Sequence, residues 1–152
     1  MPEPELTTLQ ARPVVAIRRV TTPEKIGDTC REIFGILGPK FAAGEFPMAG
    51  PPYARYFSFS PERVELEVGA PVAKPMPSQG EIAAGELPGG RAATLLHVGP
   101  YEGLKDAYPR LERWMKEQGH ACAGAPFEVY ETDPSREPDA SKWRTRIYWP
   151  VG

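Results

Sequence analysis

Apolar and polar positions follow two alternating periods along this chain, and the order of those periods repeats. The first patterned run, PVVAIRRV at positions 13–20, is rich in β-branched residues and predicts a strand. Thr21, Thr22, Pro23 and Glu24 follow with a Thr cap, a first-turn proline and an early acid, which are helix start signals. Ile26, Cys30, Ile33 and Leu37 then fall on one helical face, with the helix expected to end near Gly38 and Pro39. A Gly- and Pro-rich loop at 41–52 leads to two further strands, at 53–59 and 63–68. Phe46 and Met48 in that loop suit either a lid or a cap on the core.

The same order returns in the second half. Positions 91–98 read as a strand, Gly99 and Pro100 punctuate it, and Leu104, Tyr108, Leu111 and Met115 form another single-face stripe. Strands at 127–132 and 143–151 follow. The two stripes superpose at one offset, because 104−26, 108−30, 111−33 and 115−37 all equal 78. The preceding strands, 15–23 and 93–101, superpose at that offset too. Pro109 interrupts the second stripe, where a proline in a regular helix interior costs about 3 kcal/mol; a kinked continuation is expected. Two β-α-β-β halves, at about 13–72 and 91–151, follow within one domain of residues 1–152. The Pro/Gly-rich segment 69–90 is expected to join them. The class is α+β, an antiparallel sheet with two helices on one face and a central ligand groove.

Period-2 alternation divides each strand into a helix-facing and an opposite set. The apolar residues point to Tyr53, Phe57 and Phe59 beneath the helix, with Ala54, Tyr56 and Ser58 on the other face. The same reading puts Phe127 and Val129 toward the helices and turns Glu128, Tyr130 and Thr132 away. In the last strand Thr145, Ile147 and Trp149 oppose Arg144, Arg146 and Tyr148. Tyr56, Tyr130, Tyr148 and Glu128 thus gather on the face away from the helices, where Ala54 and Ser58 leave room. Small residues beside aromatics and one acid describe a ligand groove.

Composition narrows the function classes. The chain has 152 residues, with Lys+Arg 18 against Asp+Glu 20 and a formal charge of −2. No basic field exists to hold a nucleic-acid backbone, so direct nucleic-acid binding is not expected. No run approaches the roughly 20 apolar residues of a membrane span, and MPEPELTTLQ is not signal-like, so a cytoplasmic protein without membrane contact is expected. Cys30 and Cys122 make no motif and read as small core hydrophobes of a reducing compartment. Nineteen prolines in 152 residues exceed twice the usual ~5%, and they scatter as rigid loops between patterned segments. His97 and His120 lack ligand spacing, so neither a metal nor a cofactor is expected. Phosphate-loop patterns and serine or cysteine nucleophile constellations are missing.

Three segments in order carry a family resemblance: HVGPYEGLKDAYPRLERWM (97–115), GAPFEVYETDP (124–134) and RTRIYWPV (144–151). Gly-Pro-Tyr before the second helix, the Pro-x-Glu-x-Tyr strand, the Asp-Pro turn and the closing Pro-Val resemble the GyrI-like effector-binding domain. GAPV (69–72) and ELPGG (86–90) sit where that family has similar segments. The resemblance spans nearly the whole chain and implies two pseudo-symmetric halves with a central groove. It also implies one of several roles: drug-sensing domain of a transcription regulator, stand-alone small-molecule binder, gyrase-modulating protein, or hydrolase of cyclopropane-bearing compounds. In the binding branch the Glu of the Pro-x-Glu-x-Tyr strand meets cationic or amphipathic ligands, and here that residue is Glu128. The closing strand often carries an acid where this chain has Arg146. No helix-turn-helix is read ahead of the domain, so a regulator role is expected to require a separate chain.

Glu128 is therefore the leading candidate, against a plain reading as a strand glutamate paired with Arg144 or Arg146. The expected ligand-binding set is Glu128, Tyr56, Tyr130, Tyr148, Tyr101 and Arg146. Tyrosine faces and hydroxyls suit a flat ligand or a cation. The expected function is binding of amphipathic aromatic small molecules, cationic ones included, for drug sensing or sequestration. One alternative is a hydrolase of strained electrophiles with Glu128 and Tyr130 as its catalytic groups. The other is an interaction module whose protein partner is a separate regulator or gyrase.

Overall fold

The structure is a computed structural model describing residues 3–152. Its strands and helices run β1 (Glu5–Leu9), β2 (Arg12–Thr21), α1 (Ile26–Ala42), β3 (Tyr53–Phe59), β4 (Val64–Pro71), β5 (Ala83–Leu87), β6 (Gly90–Val98), α2 (Leu104–Glu117), β7 (Phe127–Tyr130) and β8 (Arg144–Pro150). Within each unit the strand pairings are antiparallel, and the class is α+β, as the two periodicities require. The chain forms two compact units, one of Ala11–Pro88 and the other of the segment through Gln10 with Gly89–Gly152.

In the first unit the strand order is β5-β2-β4-β3. Val14, Val15, Ala16 and Ile17 of the central strand β2 are all buried, which accounts for its continuous apolar run. Helix α1 lies over one face of that sheet. Thr29 Oγ1 donates to Thr21 Oγ1 at 2.9 Å, and Glu32 approaches Arg19 Nε at 3.5 Å. Those contacts identify the helix-side set of β2 as Val15, Ile17, Arg19 and Thr21, which pair with Ala70, Val68, Leu66 and Val64. Ile33 and Leu37 of the expected stripe are fully buried, with Thr29 beside them. The helix runs past the expected stop at Gly38 and Pro39 to Ala42. Pro39 sits in the last turn, where its carbonyl still accepts from the Ala43 amide. Phe46 is buried edge-on to Phe41 at 6.0 Å, so it caps the core.

The second unit has the matching order, β1-β6-β8-β7. Leu104, Ala107, Leu111 and Met115 of α2 pack on Ala93, Leu95, Ile147 and Val151, with Tyr108, Trp114 and Trp149 at the margins. The helix continues unbroken through Pro109. Corresponding pairs repeat in register: Ile17↔Val68 and Ala54↔Val68 in one unit, Leu95↔Ile147 and Glu128↔Ile147 in the other. The β-α-β-β repeat is therefore real, at offsets of 78 for the first strands (95−17) and 74 for the second (128−54).

Several expectations are corrected. Segment 69–90 is more than a connector: it contains the end of β4 and the edge strand β5, which pairs with β2. β1 was not anticipated, and it pairs with β6 rather than with its sequence neighbour. Each edge strand thus precedes one repeat in the chain and completes the other. Cys30 is half-buried and Cys122 exposed, so Cys122 is no core residue. Among the described residues no helix is long and apolar enough to cross a membrane.

The face assignments of β3 and β7 are also inverted. Ala54 and Tyr56 pair with Val68 and Leu66 on the helix side, while Tyr53 and Arg55 pair with Gly69 and Glu67 on the other. A register shift between Tyr56 and Ser58 then realigns Phe59 with Val64. The apolar-inward rule failed because both faces are covered here: Tyr53, on the face away from the helix, is itself fully buried.

Candidate functional site

Within the second unit, β7 is four residues long and pairs with β8 as Phe127↔Tyr148, Glu128↔Ile147, Val129↔Arg146 and Tyr130↔Thr145. Directly paired residues share a sheet face. Ile147 lies under α2, so Glu128 and Tyr130 also face the helix. Phe127 lies on the reverse side, stacked on Tyr148 with ring centroids 5.2 Å apart. The expected grouping of Glu128 and Tyr130 with Tyr148 and Arg146 is therefore wrong. Aromatic bulk at Phe127 suggested an inward residue, and it is met instead by Tyr148.

On the helix side Glu128 is 3% exposed. Tyr108, from the α2 stripe, donates to Oε1 at 2.7 Å, and Tyr130 donates to Oε2 at 2.5 Å. Phenol hydroxyls thus meet both oxygens, and each can donate to a carboxylate, which has no donor of its own when ionised. Removing a charge from water is expensive, and the two phenol donors offset part of that cost. Tyr108 meets Trp149 edge-on at 6.2 Å.

The aromatic surround continues through Tyr101, in a 3₁₀ turn (Tyr101–Gly103) leading into α2. Its ring lies 5.5 Å from Tyr130 and 5.0 Å from Trp143. Two anchors hold this turn. His97 Nε2 lies 2.8 Å from the Pro100 carbonyl oxygen, and the Gly99 amide donates to the Trp143 carbonyl. A Cβ at Gly103 would come within 2.6 Å of the His97 ring, so the close approach requires glycine. Trp143 is oriented by its Nε1 donating to the Glu137 carbonyl at 2.7 Å.

The structure thus brings Glu128, Tyr130 and Tyr101 together and adds Tyr108, Trp143 and Trp149. The two arginines have another partner: Arg144 and Arg146 approach Glu131 at 3.5 and 3.2 Å. Tyr56 belongs to the other unit, edge-on to Phe59 at 6.4 Å. It occupies the repeat position of Tyr130, since Tyr56↔Leu66 matches Tyr130↔Thr145. By the same registers Cys30, Ala54 and Tyr56 stand where Tyr108, Glu128 and Tyr130 stand. Only one half carries the carboxylate and the second phenol.

The family model for the GyrI-like small molecule binding domain matches residues 2–152. The chain belongs to that family. As a GyrI-like domain it closely matches the fold of the EcmrR C-terminal domain, with TM-score 0.90 and 21% identity over 100% of this chain and 98% of that one. It also matches EcmrR in an EcmrR–DNA complex, at TM-score 0.87 and 20% identity, covering 99% of this chain and 57% of that chain. A third match is SAV2435 bound to tetraphenylphosphonium, at TM-score 0.63 and 12% identity over 99% of this chain and 94% of that one. A comparison with curated proteins finds no match.

Tyr108 escaped the sequence reading of this GyrI-like domain because it sits in a helix stripe read wholly as core. One signal was available: it is the only hydroxyl-bearing member of that stripe. Trp143 and Trp149 carried no signal beyond aromatic character.

Proposed function

We propose that this GyrI-like domain binds amphipathic aromatic organic cations, with Glu128 as anionic anchor and Tyr101, Tyr108 and Tyr130 as its aromatic surround. One observation carries the reading: a carboxylate 3% exposed, accepting from two tyrosine hydroxyls, at a position where the other half of the repeat has alanine. A fold that accepts Ala54 in that role does not need the charge for its architecture. An organic cation would recover the remaining desolvation cost of Glu128, while the tyrosine rings add cation–π attraction of about 0.5–2 kcal/mol. SAV2435 with its tetraphenylphosphonium supports the class of ligand by likeness of fold. The biological use would be effector sensing or sequestration, in a reducing cytoplasm.

A thermal-shift series tests this. Tetraphenylphosphonium should raise the melting temperature in a concentration-dependent way, and neutral triphenylphosphine oxide should do so much less. Equal shifts from both compounds would refute the cation reading.

The two phenols on one carboxylate also favour a second reading, hydrolysis of a strained electrophile. Glu128 would take a proton from water as its oxygen bonds to a ring carbon. A tyrosine hydroxyl would protonate the carbon released when the ring bond breaks, and the proton on Glu128 would restore the tyrosine. Product formation from an activated cyclopropane, abolished by Glu128→Gln, would establish that reading over simple binding.

A further inference from the structure

Four polar or charged residues are buried among the described residues: Thr29, Thr94, Glu128 and Thr145. Three have clear partners. Thr29 donates to Thr21, Thr94 donates to the Ile147 carbonyl at 2.8 Å, and Glu128 accepts from two tyrosines. Thr145 is the exception. It is 0% exposed, and its Oγ1 has no hydrogen-bond partner among the described residues. A buried hydroxyl left unsatisfied is destabilising, so it needs a reason.

Its position supplies one. Thr145 pairs directly with Tyr130 and also with His97, so the row His97–Thr145–Tyr130 crosses the helix-side face beside the Glu128–Ile147 row. Direct neighbours in such a sheet have Cβ atoms about 5 Å apart and diagonal ones about 7–8 Å. Thr145 is therefore a diagonal neighbour of Glu128 on the same face. The internal repeat gives a control. The matching row in the other unit is Arg19–Leu66–Tyr56, where Leu66 is 0% exposed in place of Thr145. An apolar residue serves the fold at that register, just as Ala54 serves in place of Glu128. Both departures toward polarity fall in one half and on one face.

We propose that Thr145 Oγ1 is a specificity contact. It selects cations that also carry a hydrogen-bonding group, such as an aryl amine or hydroxyl, about 5–8 Å from the charge. The inference rests on the Glu128 reading above and adds a second recognition point to it. A ligand that fills the site completes the missing hydrogen bond; one without such a group leaves it unmade. Discrimination of this kind is strong because the unpaired partner is buried.

Calorimetry with two probes tests it. Ethidium carries two aryl amines, and tetraphenylphosphonium carries no hydrogen-bonding group. Thr145→Val should weaken ethidium by about tenfold and leave tetraphenylphosphonium within about twofold. Thr145→Ser should restore ethidium binding. Without ligand, Thr145→Val should raise the melting temperature by about 2–4 °C, because an orphan hydroxyl is replaced by a methyl of similar shape. Equal loss for both probes, no loss for ethidium, no ethidium binding by the parent protein, or a lowered melting temperature in Thr145→Val would each overturn the proposal. Failure of the carboxylate reading shows separately, as tetraphenylphosphonium binding that Glu128→Gln leaves unchanged.

Discussion

Tyr108 on α2 donates a 2.7 Å hydrogen bond to Glu128 on β7, tying the helix to a strand through a buried charge. Tyr108→Phe removes that donor without changing ring packing against Trp149. Deleting one partner of a buried charged hydrogen bond should cost about 1–3 kcal/mol, read as a lower urea midpoint at unchanged slope. A neutral effect would show that the bond carries little of the burial cost of Glu128.

Leu111 is fully buried at the centre of the α2 stripe, against Ala93, Leu95 and Ile147. Leu111→Ala should destabilise the protein by about 2–5 kcal/mol, the range for large-to-small changes in a packed core. Ile33→Ala in α1 tests the repeat in the same way, since the two positions differ by 78 and both are 0% exposed.

Much of this organisation was legible in the chain. The helices, the six strands of the two repeats and the 78-residue offset all follow from periodicity, because each element buries one face continuously. β5 was not legible, since four of its five residues are exposed and an edge strand with little burial leaves no apolar pattern. β1 is similarly exposed and is recruited by β6 from far along the chain. Glu128 stood out through the family motif, but its facing did not. Alternation shows which residues share a side and not which side is inner, and with Tyr53 and Glu128 both buried, apolar character pointed the wrong way. Tyr108 was visible only as core.

Tyr53 makes a pH prediction. Burial pushes its phenol well above the ordinary tyrosine range, with the neighbouring Glu67 carboxylate adding to the shift. The folded state then holds the proton more tightly than the unfolded chain does, so this stability is complete below about pH 10 and declines as the pH rises further. Melting temperatures of the parent protein should fall above that pH. Tyr53→Phe should flatten the fall, and an unchanged slope would count against Tyr53 as its source.

Arg146 pairs with Glu131 on the sheet face opposite Glu128. Both side chains are partly exposed, so the pair should contribute no more than about 1 kcal/mol. Arg146→Met should therefore leave tetraphenylphosphonium affinity within about twofold of the parent. A clear gain in affinity would mean that Arg146 repels the cation and belongs to the site.

The central claim is that the Glu128 charge, and not the shape of its aromatic surround, holds a cationic ligand. Glu128→Gln keeps the side-chain outline and removes the charge. Isothermal titration of tetraphenylphosphonium into both proteins at one ionic strength measures the difference directly. The account predicts a loss of about tenfold or more in the variant, equivalent to at least ~1.4 kcal/mol. Equal affinities, with both proteins folded at the temperature of the titration, would contradict it.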